Sequence, residues 1–351
     1  MEIRRTPIEH PSAWRGIDVA DDPAWRVELG PTEIAEIEQA LTGVQRRGLR
    51  AGGFTADDFP LPTVEAILRR CRDDVLSGRG FVLLRGLPVE GRDLEAIRTL
   101  YWGIGLRLGT PVTQNLAGDL MAEISDRGLD VNALNVKPSQ TNAEQRPHSD
   151  PADMVALLCV RRPESGGLSR IASSLAIYNE ILVHRPDYLD VLYRGFHHDL
   201  RGDASKDSPH GVTPQPIPIY RCRDGVVSSV FNASTIKDAQ RRMPTGVPAH
   251  EMAAVDHIVA LAHRDDLRLE MDFRPGDLQI LNNYTVLHWR TAFVDGADAA
   301  HKRLLYRFWV NVPGSRPIDP AMAAGYITGA QTGRTQAGKI QTVEARATAH
   351  A

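Results

Sequence analysis

The sequence predicts one mainly β domain, a sandwich or barrel with helices packed outside it. The 351 residues include 42% hydrophobic residues, enough for a large core with a deep pocket. Residues 1–110 have mainly helical patterns, whereas most of the later apolar runs have the length of strands. Neither an internal repeat nor an obvious linker divides the sequence, so we expect one domain over residues 1–351.

The charge balance excludes several classes of protein. Lys and Arg total 41 and Asp and Glu total 44, so there is no basic excess to drive nucleic-acid binding. No apolar run reaches the roughly 18 residues of a membrane helix, and no secretory signal is recognisable at the N-terminus. The three cysteines, Cys71, Cys159 and Cys222, form no Cys-x-x-Cys pair. A cytoplasmic protein with no nucleic-acid or membrane partner is therefore expected.

Three helices and a strand are expected in the first third of the chain. Apolar residues recur at helical spacing over residues 31–44 and again over residues 64–77, where Ser-Gly ends the pattern. Residues 80–86 are an apolar run between glycines, typical of a short buried strand. A third helix is expected over about residues 93–103.

The middle of the chain predicts a buried strand, a helix and a long loop. Residues 154–160 are continuously apolar, as in a strand buried on both faces. Ser173 and Ser174 are suitable N-caps for a helix that ends near residue 184, before a proline. Residues 201–216 are polar and rich in Pro and Gly, and a loop of this length is a candidate lid.

A hairpin, a helix and two strands follow. Asp-Gly separates the apolar runs 217–223 and 226–231, which is a strong hairpin signal. Residues 249–262 predict a helix. Residues 278–289 predict a broken or bent strand, and residues 303–312 predict another strand.

Candidate metal ligands come from the twelve histidines. His-x-Asp occurs three times, so this spacing alone is weak evidence. The pairs within 197–199 and 263–265 lie beside a polar loop and at a helix end, so we expect both to be solvated. His148 and Asp150 instead open the buried strand, where side chains two residues apart point to the same side. Both can then reach one metal ion, although a polar strand end is the alternative.

His288, in a mostly apolar strand, fits as a third ligand. A core histidine with satisfied hydrogen bonds is the alternative. Two histidines and one aspartate form the facial triad of non-haem Fe(II) enzymes, which leaves three coordination positions open. Zinc hydrolases use similar ligands, so the triad alone does not identify the reaction.

Two arginines lie on one face of the strand that begins near residue 303. Alternation places Arg303 and Arg307 together, and both faces of this strand are apolar enough to be buried. A buried guanidinium is costly without an anionic partner, and a carboxylate satisfies it through two hydrogen bonds. The partner is either a ligand or, alternatively, an interior Asp or Glu.

Taken together, these features resemble the Fe(II)/2-oxoglutarate-dependent oxygenases, and most closely the TauD/TfdA (taurine dioxygenase, clavaminate synthase-like) superfamily. The resemblance covers residues 80–315 and includes Arg303 fifteen residues after His288. Four further segments carry it: 80–86, 165–170, 273–277 and 281–283. It implies a double-stranded β-helix (jelly roll, cupin-like) core over 80–315. The helical patterns described above make residues 1–79 mostly helical, and residues 320–351, rich in Ala, Gly and Thr without a clear period, predict a mobile tail.

The resemblance also implies ligands and cofactors. His148, Asp150 and His288 correspond to the iron ligands, and the cofactors are Fe(II), 2-oxoglutarate as cosubstrate and O2. Related halogenases have Gly or Ala at the carboxylate position, so Asp150 argues against halogenation.

Arg303 matches the arginine that holds the distal carboxylate of 2-oxoglutarate. Ser169 stands where relatives often place a threonine hydroxyl for that same carboxylate. Arg307 matches an arginine that binds the anionic group of the substrate in taurine dioxygenase. Three further residues are candidate pocket-lining side chains, with ordinary packing as the alternative: Gln114, Asn142 and Trp289.

The implied activity is oxidation of an unactivated C–H bond in a small molecule, by default hydroxylation, with release of succinate and CO2. Desaturation, cyclisation and epoxidation use the same ligands. We expect an anionic or amino-acid-like substrate, a role in secondary-metabolite tailoring or small-acid catabolism, and a homo-oligomer. Two alternatives stay open: a metal-dependent hydrolase, which leaves Arg303 unexplained, and a catalytically silent jelly-roll binding protein.

Overall fold

The computed structural model describes residues 3–115, 117–133, 136–200, 208, 210–298 and 301–323. The α-helices in this part of the chain are α1 Gly16–Val19, α2 Pro31–Arg46, α3 Val64–Ser77, α4 Leu94–Leu108, α5 Ser174–His184, α6 Leu189–Arg194, α7 Ala233–Arg242, α8 Ala249–Ala262 and α9 Pro320–Ala323. The strands are β1 Arg26–Glu28, β2 Phe81–Arg85, β3 Thr110–Pro111, β4 Met121–Ile124, β5 Met154–Arg161, β6 Ser165–Gly166, β7 Ser169–Ser173, β8 Tyr220–Arg223, β9 Val226–Ser229, β10 Arg268–Met271, β11 Leu278–Asn282, β12 Val286–Arg290, β13 Phe293–Val294 and β14 Leu304–Asn311.

The larger sheet has the described strand order β1-β2-β11-β5-β14-β3, and β4 also pairs with β14. The predicted strand at residues 154–160 is confirmed as β5, which lies between β11 and β14 in antiparallel register. Its central position explains its continuous apolar sequence, because both of its faces are covered.

The smaller sheet has the order β10-β7-β12, and its pairs are antiparallel. The expected break in the strand at residues 278–289 is confirmed: β11 belongs to the larger sheet and β12 to the smaller one. A turn at residues 283–285 joins them. The chain therefore crosses between the sheets here and delivers His288 to the smaller one.

Three apolar clusters hold these layers together. One lies between the sheets, a second packs α2, α3 and α4 on the outer face of the larger sheet, and a third packs α5, α6 and α8 on the smaller sheet. The predicted alternation of β14 is confirmed, because Leu305 and Trp309 face the cluster between the sheets whereas Tyr306 and Phe308 face the helices. The result is a two-sheet β core with helices outside it.

The predicted helices α2, α3, α5 and α8 are present, and α5 is capped by the Ser173 hydroxyl, 3.0 Å from the N–H of Ala176. Helix α4 continues past its predicted end at residue 103. Gly103 and Gly105 lie inside the helix, where a Cβ would come within 2.5 Å of the Phe59 ring and 2.6 Å of the Phe308 ring, respectively. Glycine at these positions permits close packing of α4.

The hairpin of β8 and β9 is confirmed, with φ of 51° at Asp224 and 78° at Gly225. Positive φ at both central residues suits the twist of a two-residue hairpin. Of the long polar loop, residues 201–207 and 209 lie outside the described residues, so its role as a lid stays a prediction. The expected mobile tail lies outside them from residue 324 onward. None of the described helices has the length and hydropathy of a membrane span.

Candidate metal and cosubstrate site

The three candidate metal ligands meet where the chain enters β5 beside β12. His148 and His288 exchange two backbone hydrogen bonds, with N···O distances of 3.1 and 2.8 Å. Ser149, between the two candidate ligands of this segment, bonds through its N–H to the carbonyl of Phe231 on the other side. His148 and Asp150 consequently face His288, and the two imidazole rings lie 4.3 Å apart.

Their donor atoms are close enough to share one ion. One ligand atom from each of the three residues lies within 4.8 Å of the others, and Nε2 of His288 is 3.7 Å from Oδ2 of Asp150. Nδ1 of His148 is 2.9 Å from the carbonyl of Arg146 and donates there, so Nε2 is the ring nitrogen left to bind an ion. Two nitrogen donors and one carboxylate fit Fe(II) with open positions.

The protonation states suit metal binding. Burial, with a smaller effect from His148, lowers the pKa of His288 to about 3, so its imidazole is neutral. Burial acts to raise the pKa of Asp150, but the charge of Arg307 and the hydrogen bond from the Trp309 N–H act to lower it. They hold that pKa below the usual value, so the carboxylate is ionised.

The Asp150 carboxylate has protein partners of its own. The indole N–H of Trp309 donates to Oδ2 at 2.9 Å, and Nη1 of Arg307 lies 3.4 Å from both carboxylate oxygens. Arg307 also donates through Nε to Gln114 at 2.8 Å. The backbone N–H of Asp150 donates to the Asn283 side chain. Sequence reasoning missed Trp309, although it follows Arg307 by two residues on the same face of β14.

Arg303 is buried, with 4% of its surface exposed, and its Nη1 has no hydrogen-bond partner among the residues that the structure describes. Within the described residues, no carboxylate forms an ion pair with its guanidinium, so the interior-pair alternative is wrong for Arg303. That alternative holds for Arg307, which pairs with Asp150. Burial lowers the pKa of Arg303 to about 10. The Ser169 hydroxyl is also buried and is hydrogen-bonded to the Gln279 amide.

A cavity with a volume of about 200 Å³ connects these groups. Besides the three candidate metal ligands, its wall includes Gln114, Ser169, Arg303, Leu305, Arg307 and Trp309. Trp289 also reaches the wall, but its indole packs against His263 in the cluster behind the smaller sheet. Asn142 is exposed and does not belong to the wall; its carbonyl accepts from the N–H of Phe293.

Comparison with known protein families shows the family to which this chain belongs. The model of the family described as taurine catabolism dioxygenase TauD, TfdA family matches residues 45–309, which is most of the chain. The chain belongs to the TauD/TfdA family. It is therefore an Fe(II)- and 2-oxoglutarate-dependent non-haem iron dioxygenase, an oxidoreductase that uses O2.

Two curated proteins are similar to this TauD/TfdA oxygenase over most of its length. FR-33289 synthase of Streptomyces rubellomurinus is 29% identical over 327 residues, which are 92% of this chain and 96% of that protein. Taurine hydroxylase-like protein SAT17 of Stachybotrys chartarum is 28% identical over 307 residues, covering 84% of this chain and 77% of that protein.

Solved structures of two oxygenases share the fold. Asparagine oxygenase in complex with Fe(II), hydroxyasparagine and succinate has a TM-score of 0.63 at 16% identity, covering 83% of this chain and 98% of its own. Non-haem iron oxygenase OrfP in complex with Fe and α-ketoglutaric acid has a TM-score of 0.59 at 16% identity, covering 81% and 93%. The jelly-roll prediction is confirmed.

One prediction about the histidines of the TauD/TfdA oxygenase is wrong. The segment 197–199 was expected to be solvated, but Asp199 is buried, bonds to Nε of Arg242 at 2.8 Å and lines the cavity. Bridges from Phe196 to Ile217 and from Asp199 to Val212 draw this segment inside. These pairings join residues more than ten positions apart, so local polarity gave no sign of them.

A second buried arginine lies beside Arg303 and was not predicted. Arg290 lines the cavity and donates to the backbone carbonyls of Pro138, Thr141 and Asn142, so it fixes this segment at the rim. Burial, followed by the charge of Arg303, lowers the pKa of Arg290 to about 9. Its position two residues after His288 in β12 is the only sequence signal that pointed to the cavity.

Proposed function

We propose that His148, Asp150 and His288 hold Fe(II) and that Arg303 holds the distal carboxylate of 2-oxoglutarate. The observation that carries this proposal is the buried Arg303 guanidinium, which has no carboxylate partner in the described part of the chain yet lines the same cavity as the three donors. A bidentate carboxylate supplies what such a group lacks. A hydrolase that only activates water has no use for this arginine.

The residues of this chain then have separate roles. When bound, Fe(II) together with 2-oxoglutarate and O2 supplies the oxidising power for cleavage of a C–H bond. The two neutral imidazoles and the Asp150 carboxylate hold the ion and offset part of its charge. Arg303 and the Ser169 hydroxyl orient the cosubstrate from its far end.

We propose an amino-acid-like small molecule as the substrate, hydroxylated in a tailoring reaction of secondary metabolism. The solved asparagine oxygenase and OrfP structures contain hydroxyasparagine and hydroxyarginine, which supports this class. Arg307 is the candidate contact for an anionic group of the substrate, since it lines the cavity beside Asp150. Leu157, Phe273 and Leu305 form apolar wall that excludes water from the reacting carbon.

The test is an anaerobic titration with Fe(II) and then 2-oxoglutarate, followed by the weak visible charge-transfer band of the chelate. We expect the band in wild type, no band in His148→Ala, and about 10- to 100-fold weaker 2-oxoglutarate binding in Arg303→Gln, the size of a lost charge-assisted pair. Arg316→Gln is the control for loss of an arginine elsewhere, because Arg316 is half-buried and donates to the carbonyl of Val227 but lies outside the cavity wall.

The alternatives give other results. Zinc-dependent turnover without 2-oxoglutarate would favour the hydrolase, and no bound metal would favour the silent binding protein. For the substrate class, we expect succinate release to rise above its background with members of a panel of α-amino acids. A rise only with acids that lack an amino group would contradict the amino-acid-like assignment.

A further inference from the structure

We propose that Trp309 is a positioning residue for the metal, because its indole N–H fixes the Asp150 carboxylate in the orientation that faces His148 and His288. This inference rests on the proposed function, since it takes Asp150 as a metal ligand. In this role Trp309 does not ligate the ion; it acts through Asp150.

The contact is short and buried. Nε1 of Trp309 lies 2.9 Å from Oδ2 of Asp150, and the two residues are 4% and 8% exposed. Oδ2 is also the carboxylate oxygen 3.7 Å from Nε2 of His288. An N–H bonded to an ionised carboxylate in such surroundings is a strong and directional hydrogen bond.

Arg307 does not orient the Asp150 carboxylate in this way. Its Nη1 is 3.4 Å from both oxygens of Asp150, so it stabilises the negative charge without distinguishing one oxygen from the other. The indole of Trp309 has a single N–H donor, and this N–H bonds one carboxylate oxygen, Oδ2. Rotation of the carboxylate about χ2 would break this bond, so Trp309 selects the orientation of the carboxylate.

The indole itself is held in place. Trp309 lies within β14, its backbone pairs with Val155 of β5, and its carbonyl accepts from the N–H of Val112. The Arg307 guanidinium lies 4.3 Å above its ring. A donor on a strand with a packed ring is a rigid support for a metal ligand.

The other two ligands show why this support matters. Nδ1 of His148 donates to the carbonyl of Arg146, which fixes that ring. Among the described residues, Nδ1 of His288 has no hydrogen-bond partner. Only two of the three candidate ligands therefore have a hydrogen bond to orient them, and for Asp150 the better-aligned donor is Trp309.

The test compares two tryptophans that differ in this one contact. Trp309→Phe keeps an aromatic ring but removes the donor to Asp150. Trp25→Phe is the matched control, because Trp25 is also buried in the cluster between the sheets, but its indole N–H donates to the carbonyl of Val19 at 2.9 Å and it lies outside the cavity wall. We expect about 10- to 100-fold weaker Fe(II) binding in Trp309→Phe, measured anaerobically by calorimetry, and unchanged binding in Trp25→Phe.

A purely structural role for Trp309 would lower thermal stability and leave metal affinity unchanged, and that result would overturn the proposal. Equal weakening in both variants would overturn it as well. If wild type and both variants bind no metal, the proposed function itself fails, so the two failures are distinguishable.

A second measurement, made on wild-type enzyme, tests the proposal if the Trp309→Phe variant does not fold. In wild-type enzyme labelled with 15N-tryptophan, we expect Zn(II) to shift one of the five indole N–H resonances far more than the others. His148→Ala should remove this shift. If Zn(II) binds and no indole resonance moves, the link between Trp309 and the metal is refuted.

Discussion

At the scale of single residues, Asp150 is the group on which the site converges. Its carboxylate accepts from Trp309 and Arg307 and faces His288, while its own N–H is bound by Asn283. A buried carboxylate is stable as an anion only with such partners. The carboxylate of the candidate metal site is therefore held as an anion by protein groups alone.

The pH dependence of folding is a second consequence at this scale. Burial lowers the pKa of His198 to about 3, whereas an unfolded histidine titrates near 6.5. Between these values the unfolded chain binds a proton that the folded protein does not, so stability falls as the pH falls below 6.5. At pH 5 we expect a loss of about 2 kcal/mol from this group.

Urea unfolding at pH 7.5 and pH 5.0 measures this loss. The difference between the two pH values should shrink in His198→Gln and stay unchanged in His250→Gln, because His250 is exposed. The same pH dependence in all three proteins would show that His198 is not responsible.

At the scale of elements, the crossing from β11 to β12 builds the site. It carries the chain from the larger to the smaller sheet within three residues and places His288 opposite the strand that begins after Asp150. The antiparallel register of β12 on β7 sets His288 against Ile171, so a slip of one residue would turn its imidazole away from the cavity.

Substitution by alanine should have opposite effects on the unfolding free energy at two glycines, one in α4 and one in α2. A Cβ at Gly105 would lie 2.6 Å from the Phe308 ring, so Gly105→Ala should destabilise the fold by about 1–3 kcal/mol despite the higher helix propensity of alanine. Gly43 in α2 has no atom within 4 Å of such a Cβ. Gly43→Ala should therefore stabilise by about 0.5–1 kcal/mol.

Denaturant unfolding of both variants measures the two effects. If Gly105→Ala were as stable as Gly43→Ala, the predicted clash between a Cβ at residue 105 and the Phe308 ring would be refuted.

At the scale of the whole molecule, the candidate ligands come from both sides of the fold. His288 belongs to the smaller sheet, whereas His148 and Asp150 precede the central strand of the larger one. If these candidate ligands hold an ion, that ion ties the two sheets together and binds only the folded chain. At a free Fe(II) concentration 100 times the Kd, we expect a gain of about 2.7 kcal/mol in unfolding free energy.

Anaerobic thermal unfolding with and without Fe(II) checks this gain. His288→Ala should lose the increase in Tm while retaining its fold without metal. An equal increase in Tm in wild type and His288→Ala would mean that the ion binds elsewhere.

The local elements and the chemistry of the donors follow from the sequence alone. Helices α2 and α3, strand β5 and the hairpin at Asp224 follow from patterns within a few residues of one another, because their periodicity and turn chemistry are local. The spacing of His148 and Asp150 likewise places both side chains on one side of an extended chain.

The long-range partners that complete the site depend on the tertiary structure. There Arg307 pairs with Asp150, Trp309 donates to Oδ2 of Asp150 and Asp199 is buried. Among the described residues, Arg303 has no carboxylate partner. These contacts join residues that are far apart in sequence and depend on strand register and sheet packing. A residue pattern specifies which face a side chain takes, but the opposing strand determines what that side chain meets.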